Sequence, residues 1–245
     1  MSLSSTSRIL YVRASLGPFA RQIKAAGGIK GFLAIHFQHD EVFSPYFRRP
    51  RLFWESPHAL RNETNSGALG KKLAAYSNAV LSSHPSHRFV GIGDRVARVL
   101  RAHDYTTSCF FPINELAESS DFSMLLLGCV EQSPGFSTVH ATQQVLGLSQ
   151  KHLFRYLVRW DVSTDSGRKS MVATESPGCS QSFDKFYAAY QRDDNLISGE
   201  LFGEKYLFVP SVRRALALEQ QILQEDPRFV DCGRMTCVTC RFRLY

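Results

Sequence analysis

The sequence predicts an α/β or α+β fold. Short apolar runs of strand length alternate along the chain with longer segments in which apolar residues recur at helical spacing, and this interleaving is typical of both classes. The chain has 245 residues and is 44% hydrophobic, which is enough to bury the core of one domain spanning residues 1–245. The pattern leaves the order of the strands in the sheet open.

The N-terminal part of the chain predicts a strand and two helices. Residues 8–12, RILYV, form a short apolar run that predicts a buried strand. Residues 43–65 are aromatic, Pro-containing and Arg-rich and have no clear period, so we interpret them as an ordered loop that suits a substrate-facing flap. Apolar residues at helical spacing then predict helices over residues 67–76 and 93–103.

The central part predicts a strand followed closely by a helix. Residues 123–129, SMLLLGC, are apolar and closed by a glycine, which predicts a central strand. Residues 138–146 predict a helix with Ser137 or Thr138 as its N-cap. Residues 149–160 fit either a helix or a helix that runs into a strand.

The C-terminal part predicts a turn, two helices and a tail. Residues 163–170 are polar and predict a turn. An aromatic stripe predicts a helix over residues 184–190 that packs in the core. Residues 211–224 form the most regular helical pattern, and Pro227 lies just beyond its end. Residues 226–245 form a basic, Cys-rich tail.

The formal net charge is +7. This charge favours anionic partners such as phosphates, nucleic acid or acidic sugars, although an arginine excess that only aids solubility fits equally well. The longest apolar run, Met124–Val130, is too short to span a membrane, and the N-terminus lacks a signal-peptide pattern. We therefore expect a cytoplasmic enzyme without a membrane span, whose cysteines are reduced thiols or ligands.

Two familiar catalytic motifs do not occur in the sequence. It has no G-x-x-x-x-G-K-[ST] loop, so nucleotide hydrolysis is not indicated. It has no G-x-S-x-G elbow, so an esterase of the α/β-hydrolase type is not indicated either.

A pair of histidines flanks Pro85. Because proline restricts the backbone, the imidazoles of His84 and His87 can face one site, and histidine exchanges protons most easily near neutral pH. The alternative is a loop in which one histidine caps a helix and the other is solvated. The spacing alone specifies neither a metal nor a base.

His140 lies in the first turn of the predicted helix that follows the strand at residues 123–129. Ligands of α/β proteins gather at the carboxyl ends of strands, and a helix N-terminus offers N–H groups to an anion. The positive end of the helix dipole disfavours imidazolium, so this imidazole suits a general base. The alternative is a core histidine that hydrogen-bonds to a carbonyl group.

Three cysteines in the tail have metal-ligand spacing. Cys232, Cys237 and Cys240 form a C-x4-C-x2-C pattern, but structural zinc needs four ligands. The nearest further thiol in the sequence is Cys179. A reduced thiol cluster fits the pattern as well as zinc does, and the ligand count leads us to expect no bound metal.

Four blocks of residues resemble one family. Residues 82–93, SSHPSHRFVGIG, are similar to an R-S-x-H-P-T-H-S-x-x-x-x-G block. Residues 103–116 are similar to an H-x-x-x-x-P-F-x-x-x-S-P-x-x-K-L segment, and residues 125–140 to an L-L-x-G-x-x-x-x-x-T-x-L-H-x-x-E block. Residues 226–240 are similar to a D-P-x-x-x-x-C ending. The four patterns are those of the aminoglycoside 3-N-acetyltransferase superfamily, which this sequence therefore resembles.

The resemblance implies a central mixed sheet with flanking helices and a coenzyme A-dependent N-acyltransferase, with acetyl-CoA as co-substrate. The family's catalytic histidine corresponds to His140. Its HPxHS block corresponds to His84 and His87, which would line the acceptor pocket or support the base. The segment around Ser15 and Leu16 resembles the family's coenzyme A loop. Residues expected at the coenzyme A site are Ser15, Leu16, Ser137 and Thr138.

One position departs from the family pattern. The family usually has Glu three residues after the catalytic histidine, and this chain has Gln143. Loss of an acidic residue in a chain of net charge +7 argues against a polycationic drug and favours an amino sugar or a sugar nucleotide. Gln143 and Glu131 are expected in the acceptor site, and Glu131, Glu175 or Glu41 would orient the base.

Other functions stay open. The chain could acetylate aminoglycosides, or bind an anionic glycan or sugar nucleotide without catalysis. A zinc-stabilised protein that binds nucleic acid through the basic tail ranks last, because the sequence has no recognisable nucleic-acid-binding motif. We therefore expect a coenzyme A thioester and a small amino-sugar acceptor as partners, and no nucleic acid. The oligomeric state is open.

Overall fold

The strand β1, Ile9–Ala14, lies at the centre of the main sheet. Ile9 and Tyr11 pack into a core on one face of the sheet, and Leu10 and Val12 pack into a second core on the other face. This division follows from the two-residue repeat of a strand. Because both faces are covered, the strand is a continuous apolar run in the sequence. The computed structural model describes residues 8–48, 51–56, 64, 66–133, 135–164 and 166–241.

The described residues form a seven-stranded mixed sheet and a smaller three-stranded sheet. After β1, the strands are β2 Glu41–Pro45, β3 Arg51–Leu52, β4 Val80–Leu81, β5 Phe89–Ile92, β6 Phe122–Leu127, β7 Val158–Thr164, β8 Gly167–Val172, β9 Ile197–Leu201 and β10 Glu204–Val209. The large sheet has the order β4-β5-β2-β1-β6-β10-β9, in which β2, β1 and β6 are parallel and the outer pairs are antiparallel. The mixed central sheet expected from the sequence is therefore confirmed.

Helices cover both faces of this sheet. They are α1 Ala20–Ala25, α2 Ile29–Phe37, α3 Ala68–Ala74, α4 Asp94–Ala102, α5 Phe111–Leu116, α6 Thr138–Val145, α7 Tyr187–Arg192, α8 Val212–Glu225 and α9 Val238–Arg241. The apolar residues of α1, α2 and α3 pack on one face, and those of α4, α5, α6 and α8 pack on the other. In the part of the chain that the structure describes, no helix is long and apolar enough to cross a membrane.

A partly buried ion pair links two strands of the small sheet, β3-β7-β8. The guanidinium of Arg51 donates to both carboxylate oxygens of Asp161 at 2.6 Å, which is the two-bond geometry that arginine and carboxylates prefer. Trp160 on the same strand is 2% exposed and turns its ring into the core. The small sheet thus packs against the main domain through a large apolar side chain.

Most elements expected from local pattern are present, including the strand at residues 8–12 and the helices at 93–103, 138–146 and 211–224. Residues 149–160 follow the second of the two predicted forms, a short 3-10 helix at Leu153–Leu157 that runs into β7.

The loop predicted at residues 43–65 holds only in part, and the turn predicted at residues 163–170 is wrong. The segment 43–65 begins inside β2, a buried strand that ends at Pro45, and then contributes β3. Residues 49–50, 57–63 and 65 of that segment lie outside the described residues. The polar segment 163–170 is mostly strand, because β7 and β8 form a hairpin whose second strand is largely exposed and needs few apolar residues.

Candidate active site

A cavity of about 360 Å³ opens at the edge of the sheet where the parallel strands end. Arg13 near the end of β1 and Pro45 at the end of β2 line it, together with Phe136 and Ser137, which follow β6. Ligands of α/β proteins bind at this edge, because several chain segments leave the sheet there and their side chains converge. Another wall of the cavity is formed by Pro177, Gly178, Ser180 and Phe183.

His140 lines this cavity from the first turn of α6. The ring of Phe110 stacks on the imidazole with centroids 5.1 Å apart, and the ring of Phe183 contacts it edge-on at 4.6 Å. Contacts from two sides restrict the plane of the imidazole, so that its nitrogens point in defined directions.

Gln143, one helical turn beyond His140, determines which tautomer the neutral imidazole adopts. Its side-chain carbonyl oxygen lies 3.1 Å from Nδ1 of His140, and the residue is 1% exposed. A carbonyl oxygen only accepts hydrogen bonds, so this contact places the proton of the neutral ring on Nδ1 and makes Nε2 the basic nitrogen. A buried amide therefore stands where a carboxylate was expected.

The N-terminus of α6 faces the same cavity. Ser137 occupies the N-cap position, as the sequence predicted, but no described side chain caps the helix, and the Ser137 hydroxyl instead accepts a hydrogen bond from the hydroxyl of Tyr11 at 3.1 Å. The first N–H groups of an α-helix have no partner within the helix. An oxyanion in the cavity near Ser137 can therefore be bound by backbone donors.

The two other predicted histidines have different positions. His87 lines the cavity, contacts Phe110 at 5.4 Å and lies 2.8 Å through Nδ1 from the Ser86 hydroxyl oxygen. Burial lowers the pKa of His87 to about 4, so its imidazole is neutral near pH 7. His84 has no exposed surface, and its Nδ1 accepts hydrogen bonds from the backbone N–H groups of Ser86 and His87. His84 therefore orders the loop and does not contact a ligand in the cavity.

His84 belongs to a buried aromatic cluster behind the cavity. Its ring stacks on that of His103 and contacts that of Trp160, each at 4.8 Å. Burial lowers the pKa of His103 to about 3, and that of His84 falls in the same direction for the same reason. The cluster supports the loop that carries His87.

A buried carboxylate that the sequence analysis did not identify holds α6 in place. Glu219 of α8 is fully buried and accepts hydrogen bonds from the hydroxyls of Thr138 and Thr142, both at 2.5 Å, and of Tyr190. Burial raises the pKa of Glu219 to about 7. Thr138 thus faces α8 and not the cavity, which corrects its assignment to the coenzyme A site. An acidic residue on the apolar face of α8, beside Leu216, was the available signal.

A second cavity of about 180 Å³ adjoins the first, because Arg13, Pro45 and Ser66 line both. Ser15 and Leu16, expected at the coenzyme A site, follow β1 at this edge but are not among the lining residues of either cavity. Leu16 is 7% exposed and packs in the core, so its side chain is not a ligand contact.

The acidic residues proposed to orient His140 have other partners. Glu131 is 71% exposed, pairs with Lys205 at 2.9 Å and lines a separate cavity, so the structure does not place it in the acceptor site. The carboxylate of Glu41 pairs with Arg95 and accepts from the backbone N–H of Val96. Glu175 accepts a hydrogen bond from a backbone N–H in the core.

The family model described as aminoglycoside 3-N-acetyltransferase matches residues 44–224. Three solved structures share the fold. The apoenzyme of aminoglycoside acetyltransferase AAC(3)-IVa is 15% identical, and the match covers 97% of this chain and 92% of that chain with a TM-score of 0.68. AAC-IIIb in a binary complex with CoASH is 14% identical (coverage 89% of this chain and 90% of that chain, TM-score 0.65), and a histidine-to-alanine mutant of AAC(3)-IVa in complex with a gentamicin is 15% identical (coverage 96% and 90%, TM-score 0.70). No curated protein matches the sequence. The family match covers most of the chain, which therefore belongs to the aminoglycoside 3-N-acetyltransferase family and is an acetyltransferase.

Proposed function

We propose that this acetyltransferase moves the acetyl group of acetyl-CoA directly to an amine of an amino sugar, free or carried on a nucleotide, with His140 as general base. The observation that carries the proposal is the position of His140, which lines a cavity at the carboxyl ends of the parallel strands with its Nδ1 hydrogen-bonded to Gln143. The complex of AAC-IIIb with CoASH supports the donor.

Two adjoining cavities suit a reaction between two substrates. We assign the acceptor to the larger cavity, where His140 and His87 lie, and the thioester end of acetyl-CoA to the smaller one. Arg13 lies on the boundary between them. The backbone N–H groups at the start of α6 would stabilise the oxyanion that forms when the amine adds to the thioester carbonyl.

The transfer itself needs one base. Nε2 of His140 takes a proton from the acceptor amine as its nitrogen bonds to the acetyl carbon, and the carbon–sulfur bond then breaks. The proton returns to the coenzyme A sulfur, so atoms and charge balance. An acyl-enzyme on Cys129 is not required, and burial raises the pKa of this thiol, which makes it a poor nucleophile.

The charge of the larger cavity argues for an acceptor that is not polycationic. Among the described residues that line it, Arg13 has a permanent charge and none is acidic. An aminoglycoside with several ammonium groups would meet a cation there without a compensating carboxylate. A sugar that bears a phosphate or carboxylate would pair with Arg13.

Two further assignments complete the proposal. Pro45 and Phe47, within the segment interpreted as a flap, and Ser66, just beyond it, line the larger cavity, which supports residues 43–65 as a substrate-facing region. We place the reaction in the cytoplasm, where thiols stay reduced.

The acceptor is tested by measuring release of the coenzyme A thiol with three classes of amine: amino sugars without an anionic group, amino-sugar nucleotides, and aminoglycosides. We expect the highest kcat/KM with the nucleotide-linked sugar. Arg13→Ala should lower that value about 10–100-fold, because a hydrogen bond to a charged group contributes about 1.5–3 kcal/mol.

The matched control is Arg98→Ala, which removes an exposed guanidinium from a separate cavity between α4 and α5. It should leave kcat/KM unchanged. A preference for aminoglycosides, as the complex of the AAC(3)-IVa mutant with a gentamicin would suggest, would contradict the acceptor assignment. Absence of thiol release with every amine would favour a non-catalytic binder.

Gln143 provides a test of how the base is oriented. Gln143→Leu removes the acceptor for the Nδ1 proton, so we expect kcat to fall about tenfold, the equivalent of one neutral hydrogen bond. Gln143→Glu keeps an acceptor and adds a negative charge that stabilises imidazolium, so the acid limb of the kcat/KM profile should move to higher pH. An unchanged pH profile in Gln143→Glu would show that this side chain does not act on the base.

A further inference from the structure

The fold brings a fourth cysteine to the three in the tail. The sulfur atoms of Cys179, Cys232, Cys237 and Cys240 all lie within 4.8 Å of one another, although Cys179 is more than fifty positions away in the sequence. The sulfurs of Cys232 and Cys240 are 3.6 Å apart. All four are free thiols.

We propose that Cys179, Cys232, Cys237 and Cys240 bind one zinc ion as a structural site. Zinc holds four thiolate sulfurs at about 2.3 Å in a tetrahedron, so the sulfurs of such a site lie about 3.8 Å apart. The four thiols approach that spacing, and shifts of an ångström or less would complete it. Soft thiolates select zinc over calcium or magnesium, and four protein ligands leave no open position for catalysis.

The backbone around these thiols is held by contacts that do not involve sulfur. Nε2 of His152 lies 2.6 Å from the carbonyl oxygen of Thr239, between two of the cysteines. The ammonium group of Lys185 donates to the carbonyl oxygens of Phe229 and Asp231, both at 2.9 Å. The tail is thus docked next to Cys179 by hydrogen bonds, and the thiols converge without a covalent link.

The site would connect the tail to the wall of the active-site cavity. Cys179 lies between Gly178 and Ser180, and both of these residues line that cavity. Zinc would therefore hold this wall segment in one position relative to the tail. The zinc ion would have a positioning role and take no part in the chemical step.

The test measures metal and thiol content of the full chain purified under reducing conditions from zinc-supplemented medium. We expect about one zinc per chain. The metal-free, reduced chain should take up cobalt(II) and show the intense visible absorption of tetrahedral cobalt thiolate, which a surface metal site would not produce. Both readouts are independent of acetyl transfer, so the zinc proposal can fail while the proposed function stands.

Two variants assign the ligands. Cys237→Ser should lose zinc and the cobalt spectrum, whereas Cys129→Ala, which removes a half-buried thiol outside the cluster, should keep both. If Cys237→Ser does not fold, the cobalt spectrum and stoichiometry of the wild-type chain still decide. A wild-type chain that is purified without zinc and, when reduced, binds no cobalt overturns the proposal.

Discussion

Replacement of His140 by alanine is expected to lower kcat about 10²–10⁴-fold, the range over which loss of a general base slows a reaction. The imidazole lines the cavity, two aromatic rings restrict its plane, and Gln143 holds the proton on Nδ1. Steady-state rates with saturating acetyl-CoA and the best acceptor measure the effect. The KM for acetyl-CoA should change little, because the base does not bind the donor.

A matched control removes a histidine that lies outside the active site. His36 is exposed on α2, which packs on the opposite face of the sheet from α6, and His36→Ala should keep the wild-type kcat. Thermal unfolding of both variants shows whether the fold persists. A His140→Ala enzyme that folds and keeps a kcat near the wild-type value would exclude this residue as the base.

Replacement of Glu219 by alanine is expected to reduce the free energy of unfolding by about 3–5 kcal/mol. The change leaves the hydroxyls of Thr138, Thr142 and Tyr190 without their acceptor in the core, and each buried unsatisfied group costs about 1–3 kcal/mol. Because two of these residues lie on α6, the helix that carries His140, kcat should fall as well. Denaturant unfolding and steady-state kinetics on the same sample measure both effects.

Two variants serve as controls for Glu219. Glu225→Ala removes an exposed carboxylate from the same helix and should change stability by no more than about 0.5 kcal/mol. Glu219→Gln keeps an acceptor in the core and should cost less than Glu219→Ala. A Glu219→Ala chain destabilised by less than about 1 kcal/mol would show that α6 does not depend on this carboxylate.

The pH dependence of unfolding is a second measure of the same residue. Because burial raises the pKa of Glu219 from 4.5 to about 7, the native state holds a proton that the unfolded chain releases at lower pH. The contribution of this group to stability is therefore complete below about pH 4.5 and decreases as pH rises toward 7. Glu219→Gln should lack this decrease.

Local pattern was sufficient for those parts of the fold that depend on neighbours in sequence. The strand at 123–129 and the helix at 211–224 follow from unbroken apolar periodicity, and His140 was found because a strand, a loop and a helix start follow one another there. Strand β8 was not predicted, because it is largely exposed and has no apolar alternation to detect. The buried strand β2 was not predicted either, because its proline and polar residues resemble a loop.

The amino-acid sequence alone determined the fold class, the family resemblance and the histidine at the start of α6, because each depends on residues that are close along the chain. Tertiary structure decided which distant side chains meet. It buried His84, placed Glu219 against α6, and brought Cys179 to the three cysteines of the tail. Such contacts arise where segments far apart in sequence leave the sheet at the same edge or pack across its faces, and no local periodicity records them.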